Sequence, residues 1–170
     1  MANDVFTPEG AFSLSNPRAT AYLMQHGAEL ITGINETTRA TIHNILVRGS
    51  QEGWSYDTTA KAITEQFPEF AVGTPYKHIR SRAHLVAINE SANAYGEAEL
   101  QQALAVQGRG MDMEKFWSNV GDERVSDGCL ANTAAGWIPV DQAFPSGHMR
   151  YPRYPGCRCC MLQRRAKTGA

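Results

Sequence analysis

The chain has 170 residues, of which 42% are hydrophobic and 19% charged, and a formal net charge of −1. That length suits one domain, or a helical part with a small appended module, and it permits a core without obligatory staples. No apolar run reaches membrane-spanning length and no basic, apolar, small-residue leader opens the sequence, so the expectation is a protein made and assembled in a cytoplasm, with no membrane association.

Residues 1–15 carry few large apolar groups and no helical period, and read as an extended arm. Asn16-Pro17 marks a helix start: asparagine caps, and proline at the first helical position lacks an N–H that would have no partner anyway. Leu23, Leu30, Ile34, Ile42, Ile45 and Leu46 then recur at helical spacing as far as Gly49, with Gly27 and Gly33 weakening the middle enough to bend it. Ser55 is placed to cap a second, shorter helix with Ala60, Ile63 and Phe67 on one face, and Pro68 begins a loop. Thr74-Pro75 repeats the cap-and-proline signature. The third helix it starts runs to about Gly108, with Ile79, Ala83, Val86, Ala87, Ala94 and Ala98 on its stripe. So many alanines favour close antiparallel helix packing.

After Gly110 the texture changes. Met111–Val120 reads as a strand, Trp137-Ile-Pro-Val as a short strand kept to an edge by Pro139, and Cys159-Cys-Met-Leu-Gln as a third. Glycine- and proline-rich loops lie between them. The expected fold class is α+β: an arm over 1–15, a helical part of about three helices over 16–108, a small β-containing, cysteine-bearing module over 111–165, and a tail over 166–170.

Four cysteines in a reducing compartment favour metal or free thiols over disulfides. Cys129, His148, Cys157 and Cys159, with Cys160 as an alternate, offer the thiolates and imidazole of a four-coordinate structural zinc site. Such an ion would tie the 129 loop to the C-terminal strand. Cysteine also packs well as a small hydrophobe, so buried or free thiols are the competing reading. Glu90 falls on the apolar stripe of the third helix, where a carboxylate is paired or protonated; Arg124 or Arg82 is the expected partner in a structural ion pair, and a catalytic acid is the alternative. Asp122-Glu123-Arg124 reads either as a turn that binds its own backbone or as a surface charge cluster. Trp54, Trp117 and Trp137 read as core or rim aromatics before a cofactor wall. Residues 142–170 carry Arg150, Arg153, Arg158, Arg164, Arg165 and Lys167 and no acid, and Arg164, Arg165 and Lys167 are the weak candidates for contact with nucleic-acid phosphates.

Several enzyme templates are missing. No His-x-Glu precedes a Pro-Cys-x-x-Cys, as a nucleobase deaminase requires. The phosphate-binding Gly-x-x-x-x-Gly-Lys, His-Glu-x-x-His and Gly-x-Ser-x-Gly patterns are absent too.

One resemblance runs along the chain. Phe12-Ser-Leu-Ser-Asn-Pro-Arg-Ala, Ile34-Asn-Glu-Thr-Thr-Arg, Glu52-Gly-Trp-Ser-Tyr, Ala87-Ile-Asn-Glu-Ser-Ala-Asn-Ala-Tyr, Lys115-Phe-Trp, Gly121-Asp-Glu-Arg-Val, Cys129, Gly136-Trp-Ile-Pro and Tyr154-Pro-Gly-Cys-Arg-Cys follow one another in that order. The series resembles the Mu F-like minor head proteins of tailed phages, over roughly residues 12–163. The resemblance implies a structural, non-enzymatic minor component of the virion head, assembled in the host cytoplasm and associated with the portal vertex or capsid interior. Its implied partners are the portal protein and the major capsid or scaffold protein, with DNA a further one and no small-molecule substrate. A zinc-dependent hydrolase or nuclease, or a DNA-binding accessory protein, is the alternative. Relatives often place a cysteine where Ser126 stands and a histidine where Tyr154 stands, so two of the ligands that the resemblance would supply are replaced here.

Overall fold

The computed structural model describes residues 15–72 and 79–167. The expected arm lies outside these residues except for Ser15, as does the Thr74-Pro75 helix start. The chain is α+β, and it divides into two compact units between Ser91 and Ala92.

The first unit is helical. Helix α1, Pro17–His26, begins as expected: Asn16 Oδ1 accepts the N–H groups of Arg18 at 3.0 Å and Ala19 at 3.2 Å. It does not continue to Gly49. A turn follows His26, and Asn35 caps a separate helix α2, Glu36–Glu52, by accepting the N–H of Thr38 at 2.8 Å. Ala28 supplies the break with φ 67°, a left-handed conformation unusual for a residue with a Cβ. Its carbonyl accepts from Arg39 Nη1 at 2.6 Å, and the neighbouring Gly27 carbonyl is held by His43 Nδ1 at 3.0 Å. The apolar period carried across this turn, which is why one long helix was expected.

Gly49 lies inside α2 rather than at its end; Gly53, at φ 68°, is the left-handed residue that stops it. A Cβ on Gly49 would come within 3.1 Å of Thr59 Oγ1 and 3.3 Å of Trp54 Cε3, so this glycine serves close packing. Helix α3, Tyr56–Gln66, is capped by Ser55 and buries Ala60 and Ile63. Pro68 then opens a single 3-10 turn, Pro68–Phe70.

Helix α4, Arg82–Gln107, starts after the expected position, because Ser81 is its cap: Ser81 Oγ accepts from His84 N at 3.2 Å. The division of the chain falls inside this helix, not after residue 108. Its second half gives Leu100 and Ala103 to the core of the second unit, which explains the shift.

The second unit holds an antiparallel sheet of order β2-β1-β3, made of β1 Met113–Ser118, β2 Ile138–Pro139 and β3 Cys160–Arg165. Pro139 lies on an edge strand, where a missing N–H costs little. One sheet face carries Lys115, Trp117 and Met161 inward against Val140, Phe144 and Tyr151. A short helix α5, Asp127–Ala134, was not foreseen. Gly96 of α4 lets the chain at Tyr151 come close, since any Cβ there would collide with the Tyr151 carbonyl oxygen. Arg150 fastens the same loop, donating to Glu97 Oε2 at 2.6 Å, Asn93 Oδ1 at 3.2 Å and the Tyr151 carbonyl at 2.9 Å.

Candidate metal centre

Two stretches of the second unit bring three cysteines together. Cys129 sits in the first turn of α5 and is fully buried. Cys157 closes a turn in which its N–H donates to the Tyr154 carbonyl at 3.0 Å; Pro155 and Gly156, the latter at φ 81°, have the residue types a type II turn demands. Cys159 immediately precedes β3 and faces inward, and strand alternation turns Cys160 outward.

The sulfurs of Cys129, Cys157 and Cys159 all lie within 4.8 Å of one another, and Cys129 and Cys157 are 4.0 Å apart. Four sulfurs around zinc at about 2.3 Å stand about 3.8 Å from each other, so this spacing suits a shared ion. Among the described residues no imidazole or carboxylate joins the three thiols. His148, expected as a ligand, is engaged in its own loop: Nδ1 lies 3.0 Å from the Ser146 carbonyl and 3.1 Å from Ser146 Oγ. Buried Asn132 holds that loop, donating to Ser146 Oγ at 2.9 Å and accepting from Ser146 N at 3.0 Å. Cys160 is exposed and outside the cluster.

The surroundings set Cys157 and Cys159 apart. Cys157 is held well below the usual thiol range, to about 5, chiefly by a hydrogen bond from the Cys159 thiol, and the backbone N–H groups of Arg153 and Cys159 assist against the opposing effect of burial. The same hydrogen bond, followed by burial, pushes Cys159 upward, so the shared proton stays on Cys159. Trp117 Nε1 is buried without a hydrogen bond of ordinary geometry, and the sulfur of Cys159 is the group whose charge its N–H favours. An orphaned indole N–H beside a thiol is the donor a metal-bound thiolate uses, and the three residues therefore fit an ion. Asp122 locks the loop from outside. Both its carboxylate oxygens accept from Arg158 at 2.7 Å, and the bidentate pair lowers the Asp122 carboxyl to about 2. Asp122 also accepts from Arg124 N at 3.1 Å, so this acid both caps its turn and binds the Cys-Arg-Cys segment.

The remaining candidates are distributed. Glu90 is buried in the first unit, and its partners are neutral: Oε2 accepts from Ala28 N at 3.2 Å and Oε1 from Asn89 Nδ2 at 3.4 Å. Desolvation raises its pKa. The two arginines expected beside it are placed differently, which corrects the ion pair: Arg82 donates to the Thr32 carbonyl at 2.5 Å and lies over Phe70, and Arg124 is exposed. Trp117 is core against Phe144, Trp137 meets the Phe116 ring at a tilt and lies under Arg164, and Trp54 lies under Arg48. Arg164 is spoken for by Glu114 at 2.8 Å, which leaves Arg165 and Lys167 as the exposed cations of the tail. Lys115 escaped the sequence reading. It is fully buried, donates to the Met149 carbonyl at 2.7 Å, and burial lowers it to about 8.

Fold and site together define an α+β protein whose second unit gathers three buried thiols. The chain belongs to the phage Mu protein F like family, whose model matches residues 40–162, more than half its length. That family is a structural family of phage heads. The match includes all three thiols and begins after the Phe12 and Ile34 words of the resemblance. No curated protein and no solved structure matches the chain. Among the described residues no helix is long and apolar enough to cross a membrane.

Proposed function

We propose that this protein is a minor head protein of a tailed phage or prophage, acting without enzymatic activity in capsid morphogenesis at the portal vertex or capsid interior. The observation that carries this reading is the family match over residues 40–162. Its partners are the portal protein and the major capsid or scaffold protein, and it is assembled in the host cytoplasm and retained in the virion head. The chemistry of the second unit suits a structural role: its only grouping of metal-type side chains among the described residues is all thiol, with no carboxylate beside it to act as a base. A zinc ion there would be held by Cys129, Cys157 and Cys159 and would cross-link the start of α5 to the turn before β3. Mass spectrometry of purified particles and of procapsids tests the head assignment, together with binding to isolated portal rings. Presence in the particle and retention on the ring are expected; absence at every assembly stage overturns the proposal.

A further inference from the structure

The three thiols leave a fourth side to account for. His148 and Cys160, the residues best suited to fill it, lie outside the cluster. Tyr154 packs nearby. Its backbone carbonyl accepts from Cys157 N at 3.0 Å, and its side chain packs against the buried cluster that includes all three cysteines. Ser126 accepts from Arg153 Nη1 at 3.2 Å, and it makes no side-chain cap to α5, so its hydroxyl is committed to this corner. The Arg153 guanidinium fits there because residue 128 is glycine: a Cβ at that position would meet Arg153 Cζ and Nε at 2.6 Å. The same guanidinium lies 5.9 Å from the centre of the Tyr154 ring.

We propose that Cys129, Cys157 and Cys159 form a three-sulfur site for a single thiophilic metal ion, with no fourth nitrogen or sulfur ligand among the described residues. Loading releases the thiol protons to solvent and leaves three thiolates around the ion. Zinc is most stable with four good ligands, whereas softer ions are better satisfied by sulfur alone. The site therefore holds cadmium, as a soft probe, in clear preference to zinc. The guanidinium of Arg153, held through Ser126, gives a nearby positive charge to a site with an excess of thiolate.

This inference rests on reading the thiols as an ion clamp, and the test separates the two. The full chain, kept reduced, is titrated with zinc, cadmium and cobalt salts alone. One ion per chain is expected, with a cobalt sulfur-to-metal charge-transfer band of an intensity corresponding to three thiolates. Ser126→Cys, which creates a Cys-x-x-Cys pair with Cys129, should tighten zinc by at least about tenfold while changing cadmium much less. If the parent already binds zinc as tightly as the variant, or its cobalt band counts four sulfurs, the clamp stands and the three-sulfur proposal falls. If a folded parent binds neither zinc nor cadmium, both fall. The cobalt band of the unaltered protein decides the matter if Ser126→Cys does not fold.

Discussion

Lys115 is the residue whose environment departs furthest from expectation. A fully buried ammonium facing Phe144, with one carbonyl partner, is an expensive group. Its folded pKa of about 8 lies below the ordinary 10.5. Stability tied to Lys115 is therefore complete only above pH 10.5, where both states are neutral, and it is lost as pH falls toward about 8. Lys115→Met removes the charge while nearly conserving shape. It should stabilise the protein at neutral pH by about 1 kcal/mol or more, less what the Met149 carbonyl loses as its donor disappears. Denaturant titrations of both proteins across this range should show the variant's advantage shrinking as pH rises, and a constant difference would refute the assignment. Glu90 works in the opposite sense. Its raised pKa means stability is complete below the ordinary 4.5 and declines as pH rises through the folded value. Glu90→Gln, with an amide oxygen still able to accept from Ala28, should match the parent in acid and exceed it at neutral pH. A stability loss of about 3 kcal/mol at neutral pH would mean that a charged partner had been orphaned.

At the scale of elements, local signals were readable where a side chain does its work within a few residues. Asn16 and Ser55 cap the helices they were assigned to, Pro139 lies on an edge strand, and Tyr-Pro-Gly-Cys is the turn its composition suggests. Breaks set by distant contacts were not readable. The left-handed Ala28 sits in a register that suits a continuous helix, and its N–H is held by Glu90, 62 positions away. Helix α5 was missed because Ser-Asp-Gly reads as a turn, and because only Cys129 and Asn132 of its eight residues are buried, too few for a period to show. Gly96 makes the same point as a prediction. On helix propensity alone, Gly96→Ala should gain up to about 1 kcal/mol. The Tyr151 carbonyl stands where the methyl would go, and backbone yields less easily than a side-chain end. The net expectation is a loss of about 1–3 kcal/mol, measured by thermal or denaturant unfolding, with the loop bearing Arg150 and Tyr151 displaced. A stabilised Gly96→Ala would show that the loop gives way freely.

For the whole molecule, the fold class and the convergence of three cysteines were within reach of the sequence, because spacing and composition carry both. The place where the chain divides was not. A texture change at Gly110 suggested that the second module began there, with an ion to tie its loops together. In fact Trp117, Phe144, Val140 and Met161 build a core, completed by Leu100 and Ala103 from the second half of α4. The thiols therefore add to a packed unit and do not replace a missing one. That distinction predicts what removing an ion should do. A unit with its own core should survive chelation as a folded but loosened structure, unlike a small zinc module that unfolds without its metal. Hydrogen exchange on reduced protein, with and without chelator, should show lost protection near Cys129 and over Cys160–Arg165, while α2 in the first unit keeps its rates. Cys129→Ser should reproduce the pattern without chelator. Complete unfolding of the second unit would mean the core is inadequate alone. Unchanged exchange, in a protein purified without metal, would mean that the thiols simply pack.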